Sequence, residues 1–346
     1  MRNAGEEPAI CITLQAFCKV KLLANPHPTS LTLGHLPPGG RLLGFIMTEK
    51  TIYALGFFDG VHLGHQALLA ACRELADQHG CQAGVVTFTS HPDSLVLGEP
   101  PALLNTSDDR ARLIYAYGMD MVKEIPFDRE LMTTHWSVFL NSLLAAGAAG
   151  FVCGDDFRFG SGGLGTPKKL AAYCEKRGLP YAIVPEQLMD GDRISSTRIR
   201  TLLENGQLTE ANRLLGHAHF LTETVQAGKQ LGRTIGIPTA NLTFPEGIIV
   251  PKFGVYACLV TIHDKVYPAV TNIGTRPTVE GEGITAEAHI LDFDGDLYGK
   301  QITIAFHSFL RPEKKFDSLE ELKTQIAEDI AQAKGFPRGE AVSEAD

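Results

Sequence analysis

Two successive patterns predict two domains: a doubly wound α/β sheet over residues 49–216 and a small antiparallel β-barrel over 217–334. The first pattern alternates short apolar runs with amphipathic ones, beginning at Thr51-Ile52-Tyr53-Ala54-Leu55. The second begins near 217–221, where long helical patterns give way to short β-like runs between Gly and Pro turns. A third observation closes the barrel region: Leu319, Leu322, Ile326 and Ile330 recur at helical spacing.

Residues 1–48 are an extension of unknown structure, broken by Asn25-Pro26-His27-Pro28 and Pro37-Pro38-Gly39-Gly40 and without a candidate site. The β-branched run 51–57 suits a buried parallel strand, and 83–89, 120–125, 150–154 and 181–185 continue the set. Helices are expected at 65–79, 107–117, 135–146, 167–177 and 196–204. In such a sheet ligands sit outside the carboxyl ends of the strands. Gly56–His65, His91-Pro92 and Gly154–Gly165 all fall there. Barrel strands are expected at 221–227, 254–263, 265–272, 285–293 and 300–309, with a closing helix over 316–333. The acidic, Gly/Pro-containing tail 335–346 has the composition of a disordered segment.

A net charge of −9 over 346 residues leaves no electrostatic footprint for nucleic acid or an anionic membrane, and no apolar run reaches spanning length. Anionic ligands must therefore be held by local groups. The cysteines number seven and form no C-x-x-C pair, which reads as reduced intracellular thiols. Residues 9–24 are interrupted by Lys19 and Lys21, so no secretory signal is read and a cytoplasmic location is expected. The sequence sets no oligomeric state.

Gly56-Phe57-Phe58-Asp59-Gly60 follows the first strand, and its two glycines let the backbone turn sharply and approach a ligand. His62, Gly64 and His65 lie at the junction with the next helix, whose unpaired N–H groups suit phosphate. Three residues apart, the two imidazoles face one side of a helical first turn, with room beside Gly64. This constellation points to a nucleotide triphosphate. His-x-x-His also suits a metal, but no Cys or His cluster accompanies it. Ile194-Ser195-Ser196-Thr197-Arg198-Ile199-Arg200 opens a helix. Its hydroxyls suit a helix cap and, with Arg200, a phosphate clamp.

A formal G-x-G-x-x-G at 160–165, with Glu186 downstream, raises a nicotinamide-dinucleotide alternative. Asp155, Asp156 and Arg158 stand between the strand and the first of those glycines, which favours a substrate loop instead. In the second half, Gly228, Gly232 and Gly236 make a close-approach loop ending in Pro238-Thr239-Ala240-Asn241. The Thr239 and Asn241 oxygens are hard ligands suited to Mg²⁺ shared with phosphates. Asn272–Thr278 reads as a further loop. Glu287 is the carboxylate assigned to proton abstraction, and His289, on the same strand face, is structural.

These motifs resemble those of the bifunctional riboflavin kinase/FMN adenylyltransferase (FAD synthetase) family of bacteria, from about residue 50 to 333. The similarity rests on Gly56–His65, on Gly154, Asp156, Phe157, Phe159 and Gly160, on Ile194–Arg200, on Gly232–Asn241, and on Glu287–His289. It implies a nucleotidyltransferase-type, Rossmann-like domain followed by a riboflavin kinase barrel. It further implies that riboflavin is phosphorylated to FMN and FMN adenylylated to FAD, with ATP as co-substrate and Mg²⁺ as cofactor. In the first domain the resemblance places Gly56, Phe57, Asp59, His62, Gly64 and His65 at ATP. It adds Ser195, Ser196, Thr197 and Arg200 to the phosphate clamp, and sets Asp156 and Phe157 near the flavin. In the barrel, Gly232, Gly236, Thr239 and Asn241 serve ATP and Mg²⁺, and Glu287 is the base. Thr222-Glu223 stands where the family more often has Gly, and the first fifty residues have no counterpart. A flavin-binding protein of the same fold without turnover is the remaining alternative.

Overall fold

The computed structural model describes residues 21–23, 50–91, 100–226, 237–278 and 281–335. Most of the extension, the tail from 336 onward, Pro92, and the glycine loop with Gly232 and Gly236 lie outside the described residues. The chain forms two compact units. One ends at Arg193; the other comprises Ala102–Thr106 and the chain from Ile194 onward.

The first unit is built on a sheet of β1 (Lys21–Leu23), β2 (Thr51–Leu55), β3 (Gln82–Phe88), β4 (Met121–Ile125), β5 (Ala148–Gly154) and β6 (Tyr181–Val184). Their spatial order is β1-β4-β3-β2-β5-β6. The pairs β4–β3, β3–β2, β2–β5 and β5–β6 are parallel, while β1 runs antiparallel along the edge of β4. Helices α1 (Leu63–Gln78), α2 (Ser107–Ala116), α3 (Arg129–Thr133), α4 (Trp136–Ala145) and α5 (Pro167–Glu175) lie between strands. All five residues of β2 are buried, as a strand covered on both faces requires. Ile52 and Ala54 enter one core with Leu69, Val85 and Ile114; Tyr53 and Leu55 enter the other with Phe139 and Phe151. From β2 the chain steps outward to β3 and β4, then returns to lay β5 on the opposite side. The topological switch point therefore lies between the carboxyl ends of β2 and β5. Part of the extension, whose structure the sequence left open, is β1: Lys21 to Leu23 pair with Glu124 to Val122.

The second unit holds α6 (Ser196–Glu204), α7 (Leu208–Leu215), β9 (His219–Thr224), β10 (Ala240–Thr243), β11 (Gly254–Ile262), β12 (Lys265–Thr278), β13 (Gly281–Ile290), β14 (Gln301–Arg311) and α8 (Leu319–Lys334). The short strands β7 (Leu188–Met189) and β8 (Asp192–Arg193) precede it in the first unit. Six antiparallel strands run in the order β10-β13-β12-β11-β14-β9. The sheet nearly closes where Gln226 N donates to Asn241 O at 2.9 Å. Alternation fills the interior: Ala286, Ala288 and Ile290 are buried, and Glu287 and His289 take the other face. Asp329 of α8 is buried against Arg311, which grips both its oxygens at 2.8–3.2 Å.

Two segments differ from the sequence reading. Asn272–Thr278, expected as a loop, continues β12 and stays paired with β13 to Thr278. A full ladder of partners outweighs the turn preference of Asn, Gly and Pro there. Thr239 leads directly into β10, a strand not anticipated, so Asn241 sits on a strand rather than at a loop tip. The change of pattern near 217 also does not coincide with the division into units. The strongly amphipathic α7 packs in the second unit, where Asn212 Nδ2 donates to Phe306 O at 2.9 Å and Asn212 Oδ1 accepts from His219 N at 2.8 Å.

Candidate active sites

The Gly56–His65 stretch leaves β2 at the switch point. Gly56 N donates to Val86 O at 3.2 Å, and Thr87 Oγ1 donates to Phe57 O at 2.9 Å, so β3 holds the first two loop residues. A buried 3₁₀ turn, Asp59–Val61, follows. Phe58 (φ 60°) and Val61 (φ 39°) adopt left-handed backbone that glycine usually takes. Gly60, at φ 77°, needs that freedom. His62 is the N-cap of α1, and its Nδ1 accepts from His65 N at 3.4 Å. The two imidazoles stack with centroids 3.7 Å apart and planes 16° apart, so the expected common face is formed. His65 Nδ1 is buried without a partner. Burial first, then the neighbouring His62 and Arg110, holds the His65 imidazole well below its ordinary pKa and hence neutral at pH 7. A neutral imidazole serves phosphate as a hydrogen-bond donor, not as a charge. Among the described residues no cluster of His, Cys, Asp and Glu suits a metal, so the metal reading of the pair has no further ligands.

Across the switch point, β5 ends at Gly154, where an added Cβ would approach Asp156 Oδ1 at 3.1 Å. Asp156 is paired with Arg193, which also meets Glu186 at 3.0 Å. The Phe157 and Phe159 rings stack, with centroids 5.5 Å apart. The glycines at 160–165 do not form a dinucleotide turn. Residues 155–159 separate them from β5, Ser161–Gly163 is a 3₁₀ turn, and α5 starts only at Pro167 behind its Thr166 cap. Gly160 has φ 70°, and an added Cβ there would lie 2.6 Å from the Trp136 backbone, so packing explains that glycine. The structure thus gives the dinucleotide alternative no strand-to-helix glycine turn.

Ser195 caps α6 by accepting from Arg198 N at 3.3 Å, which realises the cap reading of the Ile194–Arg200 hydroxyls. Ser196 and Thr197 form the first turn. Arg200 is buried, with its Nε donating to Ala102 O at 2.6 Å.

In the barrel, strand register builds the site. Glu287 of β13 stands opposite Asn241 of β10 on one side and Asn272 of β12 on the other. Asn241 Nδ2 donates to Thr239 O at 3.3 Å, and His289 Nδ1 lies 2.9 Å from Pro238 O, which fixes the lead into β10. Asn272 Nδ2 also donates to Glu313 Oε1 at 3.2 Å. A cleft beside Thr239 and Asn241 is completed by Phe293, Asp294, Asp296 and Tyr298. The sequence reading missed this second wall, although Asp294-Gly295-Asp296, a turn cluster between two strands, was its visible signal. It also missed Arg110 and Glu124 beneath the Gly56–His65 loop.

Similarity to known proteins falls in two stretches of the chain. The family model for FAD synthetase matches residues 46–198 and that for riboflavin kinase matches 215–336. A bifunctional riboflavin kinase/FMN adenylyltransferase of Listeria monocytogenes is 36% identical over 290 residues, covering 82% of this chain and 92% of that protein. Its counterpart in Escherichia coli K12 is 38% identical over 296 residues, covering 83% and 93%. A crystallised protein of Streptococcus pneumoniae, described as a macrolide-efflux protein, is 30% identical with a TM-score of 0.75, covering 84% of this chain and 95% of that one. Among the described residues no helix here is long and apolar enough to cross a membrane.

Proposed function

The chain belongs to the bifunctional riboflavin kinase/FMN adenylyltransferase family, and on that premise we propose that it makes FMN from riboflavin and then FAD from FMN. The carrying observation is that one family model covers the Gly56–His65 loop and Ser195–Thr197, and the other covers Thr239, Asn241 and Glu287. In the first reaction the terminal ribityl hydroxyl attacks the γ-phosphorus of ATP, the bond to the β–γ bridging oxygen breaks, and ADP leaves. Glu287 takes the hydroxyl proton; placed in a strand between two others, it meets substrate in a fixed position. Thr239 and Asn241 offer oxygen donors of the hard class that Mg²⁺ accepts, and on that chemistry they fit the ion. When bound with ATP, Mg²⁺ supplies charge neutralisation at the phosphates.

In the second reaction an FMN phosphate oxygen attacks the α-phosphorus of ATP and pyrophosphate leaves. No side-chain nucleophile is needed, so alignment and charge stabilisation are the protein's task. His62 and His65 donate to ATP phosphates, while Gly56, Phe57, Asp59 and Gly64 shape the turn around the nucleotide. Ser195, Ser196, Thr197 and Arg200 serve the same reaction, and Asp156 and Phe157 hold flavin. From the net charge of −9 we infer no nucleic-acid partner, and we infer a cytoplasmic location. Incubating purified protein with riboflavin and Mg-ATP and separating the flavins tests this directly. FMN, FAD, ADP and pyrophosphate are expected; unchanged riboflavin bound to folded protein would favour a non-catalytic flavin binder.

A further inference from the structure

Arg110 lies in α2, in a stretch (Ser107-Asp108-Asp109-Arg110) that reads as a solvated helix start, yet only 1% of it is exposed. Its Nη2 donates to Glu124 Oε1 at 2.9 Å and to Phe88 O at 2.9 Å. Glu124, 2% exposed, also accepts from Ser107 Oγ at 2.5 Å. The guanidinium carbon lies 4.5 Å from the centroid of the Phe57 ring, a cation–π distance. The opposite nitrogen, Nη1, is buried with no hydrogen-bond partner. Asp59 and His65 both lie within its electrostatic reach. One side chain thus links the carboxyl ends of β3 and β4 to the loop that leaves β2.

Stability alone does not account for this group. A buried ion pair seldom outperforms apolar side chains of equal volume, and an unsatisfied nitrogen adds to its cost. Its geometric effect is specific. Phe57 is held at its carbonyl by Thr87 and at its ring by Arg110, and the ring's edge meets His91 at 4.9 Å and 78°. We propose that Arg110, fixed by Glu124, is a positioning residue for adenylyl transfer, setting the Gly56–His65 loop through Phe57. The proposal rests on the adenylyltransferase reading above.

The test uses the full chain, with FMN formation in the other unit as an internal control. Removing Arg110 alone would strand a buried carboxylate, so the informative variant is Arg110→Met combined with Glu124→Met. It should fold with an unchanged or higher Tm, keep FMN formation, and lose roughly 10²-fold in kcat for FAD formation from supplied FMN. KM for FMN should hold, since the loss is one of alignment. Arg110→Lys keeps the charge without the fork and should fall between. A folded double variant with kcat within about twofold of wild type would overturn the proposal. Should the double variant not fold, Arg110→Lys decides: a lower kcat at unchanged Tm supports positioning, and an unchanged kcat refutes it. Wild-type protein that makes no FAD from supplied FMN would instead sink the adenylyltransferase reading itself.

Discussion

The two proposed sites hold most of their candidate groups in opposite ways. In the parallel sheet they hang on a turn beyond the end of β2, where two non-glycine residues hold left-handed backbone. Such conformations cost on the order of 1–3 kcal/mol each and persist only where the surroundings impose them. In the barrel the groups stand in ladder register, Asn241, Glu287 and Asn272 side by side on three adjacent strands. The difference follows the chemistry. A reaction whose nucleophile is already a phosphate needs donors shaped around it, which a strand-end turn and helix N-terminus supply. A reaction at an alcohol needs one proton acceptor in a fixed lateral position, which strand pairing supplies.

The contrast is broken most strongly by removing the proposed proton acceptor. Glu287→Gln keeps the side-chain size, and FMN formation should fall by roughly 10²–10⁴. Adenylylation of supplied FMN should be untouched; loss of both activities would make Glu287 structural or the sites coupled. His62→Ala is the mirror experiment. FAD formation should drop on the order of 10²–10³ with FMN formation intact. If FAD synthesis survives within a few-fold on that same scale, the switch-point assignment fails.

A smaller effect sharpens where the barrel unit begins. A fragment starting at His217 lacks α7, whose Asn212 ties β9 to β14; one starting at Ile194 keeps it. Both carry Thr239, Asn241 and Glu287 and should phosphorylate riboflavin, while the longer one should melt several degrees higher, as about 1–2 kcal/mol implies. Equal melting temperatures would show that α7 adds nothing.

Acid should weaken both units through buried histidines. His65 is held well below its ordinary pKa, chiefly by burial, and burial likewise pushes His219 down to about 3. In the unfolded chain each titrates near 6.5, so below that pH the unfolded state binds more protons. The stability they contribute is complete above about 6.5 and is lost as pH falls, for His219 until about 3, at up to about 1.4 kcal/mol per pH unit for each group. A His219→Phe variant should flatten this slope in a pH series of melting curves; an unchanged slope would remove His219 from the account.

Much of this was legible in the sequence because periodicity and turn chemistry are local. The run Thr51–Leu55, the cap at Ser195 and the helix α8 lie within a residue or a few of their expected places. What escaped depends on partners distant in sequence. Asn272–Thr278 carries turn residues yet is held straight by β13. Arg110 looks like a surface charge until Glu124, fourteen residues on, is folded against it. The strand β1 is three residues long, too short for any periodic signal.

The central claim is that one chain carries two independent sites. The most direct test mixes full-length Glu287→Gln with full-length His62→Ala in riboflavin and Mg-ATP. Neither variant alone should make appreciable FAD from riboflavin. The mixture should, because FMN released by the second variant is a substrate for the first. A mixture as inactive as its components would contradict two sites that act independently.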